Sequence, residues 1–272
     1  MAKEPVLFPL LFLCGQIVLE GRSYMWELYD ALLDAMPEGM TVDEVVCGKG
    51  WTMVRSGENV GLAMTIHETA RPRIFTRPWE GADLKEVAAC VKSWNFEEAA
   101  VGMAAINAYH NAPAQAVKNG IALVTDGSAP EKDAFFSNID AFRDKRVCVV
   151  GHFPYLEKRV APYARLSILE RMPCPGDFPD SACEYILPEQ DFVFITGCTL
   201  VNKTMPRLLE LSRQAHVVLV GPSVPLSTLL FDFGADELSG TVITDPALCA
   251  QLAAAEGGPS IFQAGQMVRF VK

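Results

Sequence analysis

Apolar residues in the segment after Met25 recur at the spacing of a helix. Leu28, Leu32 and Met36 stand four apart beside Leu33, and Pro37 with Gly39 ends the run. Three shorter runs follow, at residues 41–47, 51–55 and 60–66, separated by Gly48-Lys49-Gly50 and Ser56-Gly57-Glu58-Asn59. That rhythm predicts an antiparallel β-meander. Asp83 is placed to cap a helix reaching Val91, and residues 96–109, rich in alanine with Gly102 inside, predict a helix able to pack closely. A sheet followed by helices makes an α+β unit.

Between Asn111 and Asp133 the periodicity is lost while Pro113, Gly120, Gly127 and Pro130 accumulate, so a domain boundary is expected within this stretch. A different pattern then begins. Residues 146–150, 164–169, 192–196, 216–220 and 241–243 are short, near-continuous apolar runs, several separated by helix-like stretches such as 205–212 and 246–255. Buried strands alternating with helices predict a mainly parallel sheet covered on both faces. The expected architecture is an α+β domain over residues 25–125 followed by a Rossmann-like α/β domain over residues 126–272.

The 272 residues suffice for two such cores, and 50% hydrophobic with 21% charged residues fits a well-buried globular chain. The net charge of −10 opposes binding to phosphate backbones and anionic lipid, so nucleic acid and membrane are not expected partners. Residues 6–19 are apolar, but a bilayer-spanning helix needs about 20 residues, Pro9 interrupts the run, and no small-x-small cleavage pattern precedes Met25. Codons for Gly21-Arg22-Ser23-Tyr24 can form a purine-rich ribosome-binding sequence just upstream of an ATG at Met25. Residues 1–24 are therefore expected to be translated leader, and the protein to be cytoplasmic. The eight cysteines include no CxxC pair, which fits reduced thiols rather than a zinc ribbon.

In open parallel sheets ligands bind beyond the carboxyl ends of the strands, so the residues following each run are the candidates. Gly151-His152-Phe153-Pro154 occupies the place of a dinucleotide fingerprint without its G-x-G-x-x-G, which argues against NAD and FAD. Glu170, ending the next run, is placed to hold a ribose hydroxyl, or to be simply solvated. In Thr196-Gly197-Cys198 and on to Thr204, Gly197 permits an unusual turn, Asn202 offers donors and an acceptor, and Thr204 is placed to cap the following helix. Gly221-Pro222-Ser223-Val224-Pro225 presents a hydroxyl at Ser223 but lacks the second glycine of a nucleophile elbow. Among the histidines, His152 alone sits at a strand end in a Gly-Pro-flanked turn, suited to proton transfer, metal ligation or a structural cap. His67 follows the third meander run, next to Glu68. No HxxxH, HxH or DxD cluster occurs, so any transition-metal site must be assembled across the fold.

As an ordered set, these loops resemble a prokaryotic family assigned by inference to heavy-metal chelation. The motifs are Gly102-Met-Ala-Ala-Ile-Asn-Ala108, Val149-Val-Gly-His-Phe-Pro154, Leu187-Pro-Glu-Gln-Asp-Phe-Val-Phe-Ile-Thr-Gly197, Val201-Asn-Lys-Thr204, Gly221-Pro-Ser-Val-Pro225 and Leu238-Ser-Gly240. The resemblance covers Met25 to the C-terminus. It implies an N-terminal domain similar to the enolase amino-terminal domain, a Rossmann-like second domain, and a site in the cleft between them. It further implies that Asn107 faces the cleft from the first domain, with His152, Thr196, Asn202, Thr204 and Ser223 facing it from the second. Gly151, Phe153, Gly197 and Gly221 complete the candidate set, and Cys198 stands where a small or hydroxylic residue is expected.

The leading expectation is a protein that binds a small polar or anionic ligand, such as a metal chelate or its precursor, in that cleft, with His152 as acid, base or ligand. The rival is a lyase, synthase or transferase acting on a cofactor-like metabolite, with an adenosyl group near Glu170. A structural assembly partner would instead expose large apolar patches. An assembly of identical copies is compatible with all three.

Overall fold

The computed structural model describes residues 25–124, 133–255 and 260–272. The expected leader, residues 1–24, lies outside the described residues. The first helix, α1, covers residues 25–34 and buries Leu28, Tyr29, Leu32 and Leu33 on one face. Strands β1 (Glu44–Cys47), β2 (Trp51–Ser56) and β3 (Asn59–Met64) form an antiparallel meander with β2 in the centre. Helix α2 (Leu84–Ala88) starts at Asp83, whose carboxylate accepts the N–H groups of Lys85 and Glu86. It tightens into a 3-10 turn at Ala89–Lys92 rather than continuing as α-helix to Val91.

Helix α3 (Phe96–His110) is buried on nearly every side, with only Phe96, Glu97 and Tyr109 outside the buried set. A helix apolar all round belongs in the middle of a core, and α3 lies between the meander and the second half of the chain. Its alanines let backbone meet backbone. A Cβ on Gly61 of β3 would overlap Ala104 and Ala108 of α3, and one on Gly102 would overlap Val91. A short helix α4 (Pro113–Lys118) then occupies part of the stretch read as a boundary. Pro113 signals a loop to the eye, yet at the first helical turn its missing N–H costs nothing.

The large sheet has seven strands: β4 (Arg146–Val150), β5 (Arg165–Glu170), β6 (Phe178–Pro179), β7 (Phe192–Thr196), β8 (His216–Val220), β9 (Glu237–Ile243) and β10 (Gly265–Val271). Their order is β10-β9-β8-β7-β4-β5-β6, parallel except for β10. Side chains alternate between faces as the pleat demands. Val147, Val149, Phe192, Phe194 and Val218 pack with Phe135 and Phe142 on one face. Cys148, Val193, Ile195, Val217 and Leu219 face the core that includes α1 and α3. The core is therefore shared across the two halves. The helix Pro246–Ala254 also crosses back, packing Cys249 and Ala253 against Met53 and Leu62 of the meander.

Three strand readings change, the first being β6, a two-residue edge strand whose exposed Phe178 and Pro179 form no apolar run. β9 begins at Glu237, not Thr241, because the buried Glu237 carboxylate is neutralised in a bidentate pair by Arg269 of β10 (2.7 and 2.6 Å). β10 escapes the apolar pattern because it is an edge strand with alternate residues exposed. Among the described residues no helix is long and apolar enough to cross a membrane.

Gly61→Ala should lower stability by about 1–3 kcal/mol, since the added methyl has only backbone to displace. Gly50→Ala, with open space around its Cβ, should leave the urea midpoint unchanged.

Candidate functional site

Three glycine-containing turns leave the carboxyl ends of β4, β7 and β8. Gly151 and Gly221 hold φ of +102° and +111°, the left-handed region that only glycine enters freely. Gly197 differs. Its φ is −59°, so no unusual turn is present; glycine is needed there because a Cβ would lie 2.8 Å from the Val224 nitrogen. Thr204 is corrected as well. Its hydroxyl does not cap the helix Met205–Leu211 but donates to Asn202 Oδ1 (2.7 Å), and Asn202 thereby closes a local turn.

Beside these turns lies a cavity of about 490 Å3. Trp51 and Met64 of the meander line it from one side. Phe153, Thr196, Gly197, Cys198, Gly221 and Ser223 line it from the strand ends, with Phe135 and Tyr155 near them. Its walls are mostly hydrocarbon and aromatic ring. The polar side chains are few: Thr196, Ser223, Ser239 and Thr241, the Tyr155 phenol, and an Arg159–Asp133 pair at 2.6 Å. Ser223 Oγ accepts the Met64 N–H (2.9 Å), fastening the meander to the β8 turn. Thr241 Oγ1 is buried without a hydrogen-bond partner, a costly state for a hydroxyl. Cys198 donates its thiol proton to Met64 Sδ (3.2 Å) and receives the Thr196 hydroxyl (3.2 Å); burial pushes the thiol pKa up.

The expected residues divide. Phe153, Thr196, Gly197, Gly221 and Ser223 share the cavity wall; Asn107, Gly151, His152, Asn202 and Thr204 are not among its lining residues. Asn107 is fully buried, and its amide donates to the Leu62 and Pro222 carbonyls (2.8 and 3.4 Å), so it joins the halves instead of facing open space. His152 turns away. Its Nδ1 lies 2.8 Å from Asp177 Oδ2, and that hydrogen bond raises the imidazole pKa. Glu170 has its carboxylate occupied by the N–H groups of His152, Arg171 and Met172, so a ribose would have to displace backbone donors. His67 is exposed, held by Glu97 and the Lys49 carbonyl.

Several residues of interest carry no sequence signal of their own. Thr241 sits mid-strand, and Trp51 and Met64 read as ordinary strand positions. Lys203 lies between two highlighted residues in a left-handed conformation (φ +68°), its ammonium donating to the Val201 carbonyl (2.7 Å) and facing the rings of Phe96 and Trp94. Burial lowers its pKa to about 7.

Fold and site together define a mixed α/β protein with an open cavity between a small antiparallel sheet and the strand ends of a large, mainly parallel one. The chain belongs to the DUF364 family: residues 133–272 match that family and residues 29–110 match DUF4213, both described as "putative heavy-metal chelation". A DUF364 protein of unknown function from Desulfitobacterium hafniense has a similar crystal structure, with 44% identity, a TM-score of 0.84, and 91% of this chain and 99% of that one covered. A second, from Pyrococcus horikoshii, shares the fold at 19% identity (TM-score 0.71; 92% and 100% covered). An uncharacterised protein of Methanocaldococcus jannaschii is 31% identical over 196 residues, 68% of this chain and 71% of that protein.

A lowered lysine pKa has a defined sign. The folded state resists the charged form, so its penalty is full below pH 7 and fades as pH rises from about 7 towards the ordinary 10.5. Lys203→Met should therefore raise the urea midpoint at pH 6 and give a much smaller gain at pH 9.5.

Proposed function

We propose that this protein binds a compact organic ligand in the cavity between the meander and the parallel sheet, and that this ligand is a metal chelator or its metal complex. Supporting this reading, the second half is taken as a Rossmann-like unit (residues 126–272) and the first as an enolase-N-terminal-like unit (residues 25–125). Counted from β4, the parallel strands run 3-2-1-4-5-6, the doubly wound order, and the cavity lies beyond the carboxyl ends of β4, β7 and β8.

The observation that carries the proposal is the cavity itself, large enough for a drug-sized molecule and walled by aromatic side chains at the strand ends. The apolar walls change the expected ligand chemistry. A small anion would lose its hydration there with only hydroxyls and an already paired arginine to replace it. An aromatic or aliphatic body carrying one or two hydrogen-bonding atoms suits Trp51, Phe135, Phe153 and Tyr155 as walls, and Ser223 and Thr196 as anchors. Many organic chelators have that composition. Binding is favoured over turnover because the lining pairs no nucleophile with a base: the Cys198 thiol is held protonated, and His152 points elsewhere.

The probe is 8-hydroxyquinoline, alone and as its zinc complex, followed by native mass spectrometry and Trp51 fluorescence. One molecule should be retained per chain. Thr196→Val should weaken binding up to about tenfold, the worth of one hydrogen bond, and Met267→Trp should block it by filling the mouth. Absence of saturable binding, or affinity unchanged in both variants, would count against the cavity as a ligand site.

A further inference from the structure

The loop after β5 carries metal-binding chemistry that the cavity does not use. In Cys174-Pro175-Gly176-Asp177 the Asp177 N–H donates to the Cys174 carbonyl (3.0 Å), and Gly176 takes φ of +104°. Proline followed by a positive-φ glycine at the two central positions matches a type II turn. The turn is closed a second time, because the Cys174 N–H donates to Asp177 Oδ2 (2.9 Å). Thiol and carboxylate are thereby held on the same short loop, next to His152 at the end of the neighbouring strand. A ring nitrogen of His152, the Cys174 sulfur and an Asp177 oxygen lie within 4.8 Å of one another.

We propose that His152, Cys174 and Asp177 form a binding site for a thiophilic divalent cation of the zinc or cadmium type. One imidazole nitrogen, one thiolate and one carboxylate are a borderline-soft donor set, which favours such ions over magnesium or calcium. Bonds of about 2.0–2.3 Å place tetrahedral ligand atoms roughly 3.3–3.8 Å apart, so the three need to move only slightly. The surroundings fit. The Asp177 side chain is only 3% exposed, fixing one ligand firmly, while Cys174 is exposed and leaves the remaining position to water. Glu157 Oε1 lies 3.5 Å from His152 Nε2, where it can orient the ring as carboxylates do behind metal-bound histidines. Glu170 grips the His152 backbone and adds a further negative charge.

On binding, the Cys174 thiol gives its proton to solvent and His152 meets the cation through an unprotonated ring nitrogen. A neutral ring does so by shifting its proton to the other nitrogen, a charged ring by losing one to solvent; nothing is oxidised. The site stands apart from the cavity, since none of the three residues lines it, and it does not depend on the organic-ligand reading.

The test is a titration of the reduced full chain with cadmium alone, read by the ultraviolet thiolate-to-cadmium band and by native mass. One equivalent should bind with that band. Cys174→Ser, nearly isosteric and on an exposed turn, should abolish the band. His152→Ala and Asp177→Asn should each weaken affinity by at least ~100-fold, more than loss of an outer-shell partner costs. Cys47→Ser, at another exposed thiol, should change nothing. No saturable uptake, or a band that survives Cys174→Ser, overturns the proposal, whatever the outcome with 8-hydroxyquinoline.

Discussion

The structure hinges on side-chain amides from the first half holding the backbone of one loop in the second. Asn111, four residues after Asn107 on the same helical face, donates to the Val224 and Thr241 carbonyls (2.9 and 3.3 Å) and accepts the Leu226 N–H (2.7 Å). Asn107 reaches Pro222 and Asn119 reaches Leu226. This loop follows β8 and contains two prolines, so its backbone cannot satisfy itself by pairing as a strand. Each buried amide or carbonyl left unpaired would cost about 1–3 kcal/mol. The asparagines supply those partners, and in doing so they set where Ser223 meets Met64 and therefore where one wall of the cavity stands.

That constraint explains the absence of side chains at two neighbouring positions. Gly197 brings the β7 turn against Val224, and Gly61 brings β3 against α3. Shared burial then completes the joint. Tyr29 donates its hydroxyl to the Leu200 carbonyl (2.9 Å), and Ala253 of the C-terminal helix meets Gly48 of the meander. Two halves with distinct sheet types are thus tied by backbone recognition in the middle and by hydrocarbon on both sides of it.

Much of this was legible in the chain. Apolar runs of three to seven residues between turn residues located eight strands within a few residues, and Asp83 marked its helix correctly, because local sterics and burial dominate those choices. What escaped depends on tertiary partners. Glu237 looks like a solvent residue until Arg269 is placed beside it, and Thr241 looks like an ordinary strand threonine until its hydroxyl is seen without an acceptor. Asn107 illustrates the opposite error: a polar residue on a small-residue helix suggests a ligand contact, but here the polar group it meets is the protein's own backbone.

The same reasoning separates the roles of the β4 turn. His152 and Phe153 are adjacent in sequence, yet Glu170 and Asp177 draw the residue towards the β5 side while Phe153 meets Phe135 edge to face (5.4 Å between centroids) in the cavity wall. Gly151, with its left-handed backbone, is what lets the chain divide in this way at the end of a buried strand. Tyr155, also left-handed at φ +68°, ends the excursion and starts the helix Leu156–Arg159, which carries both Glu157 behind His152 and Arg159 at the cavity. A movement of His152 towards a cation would pull on the same five-residue segment that contributes Phe153, Pro154 and Tyr155 to the cavity wall. If both sites operate, coupling between them requires no long-range path, only the stiffness of residues 151–155.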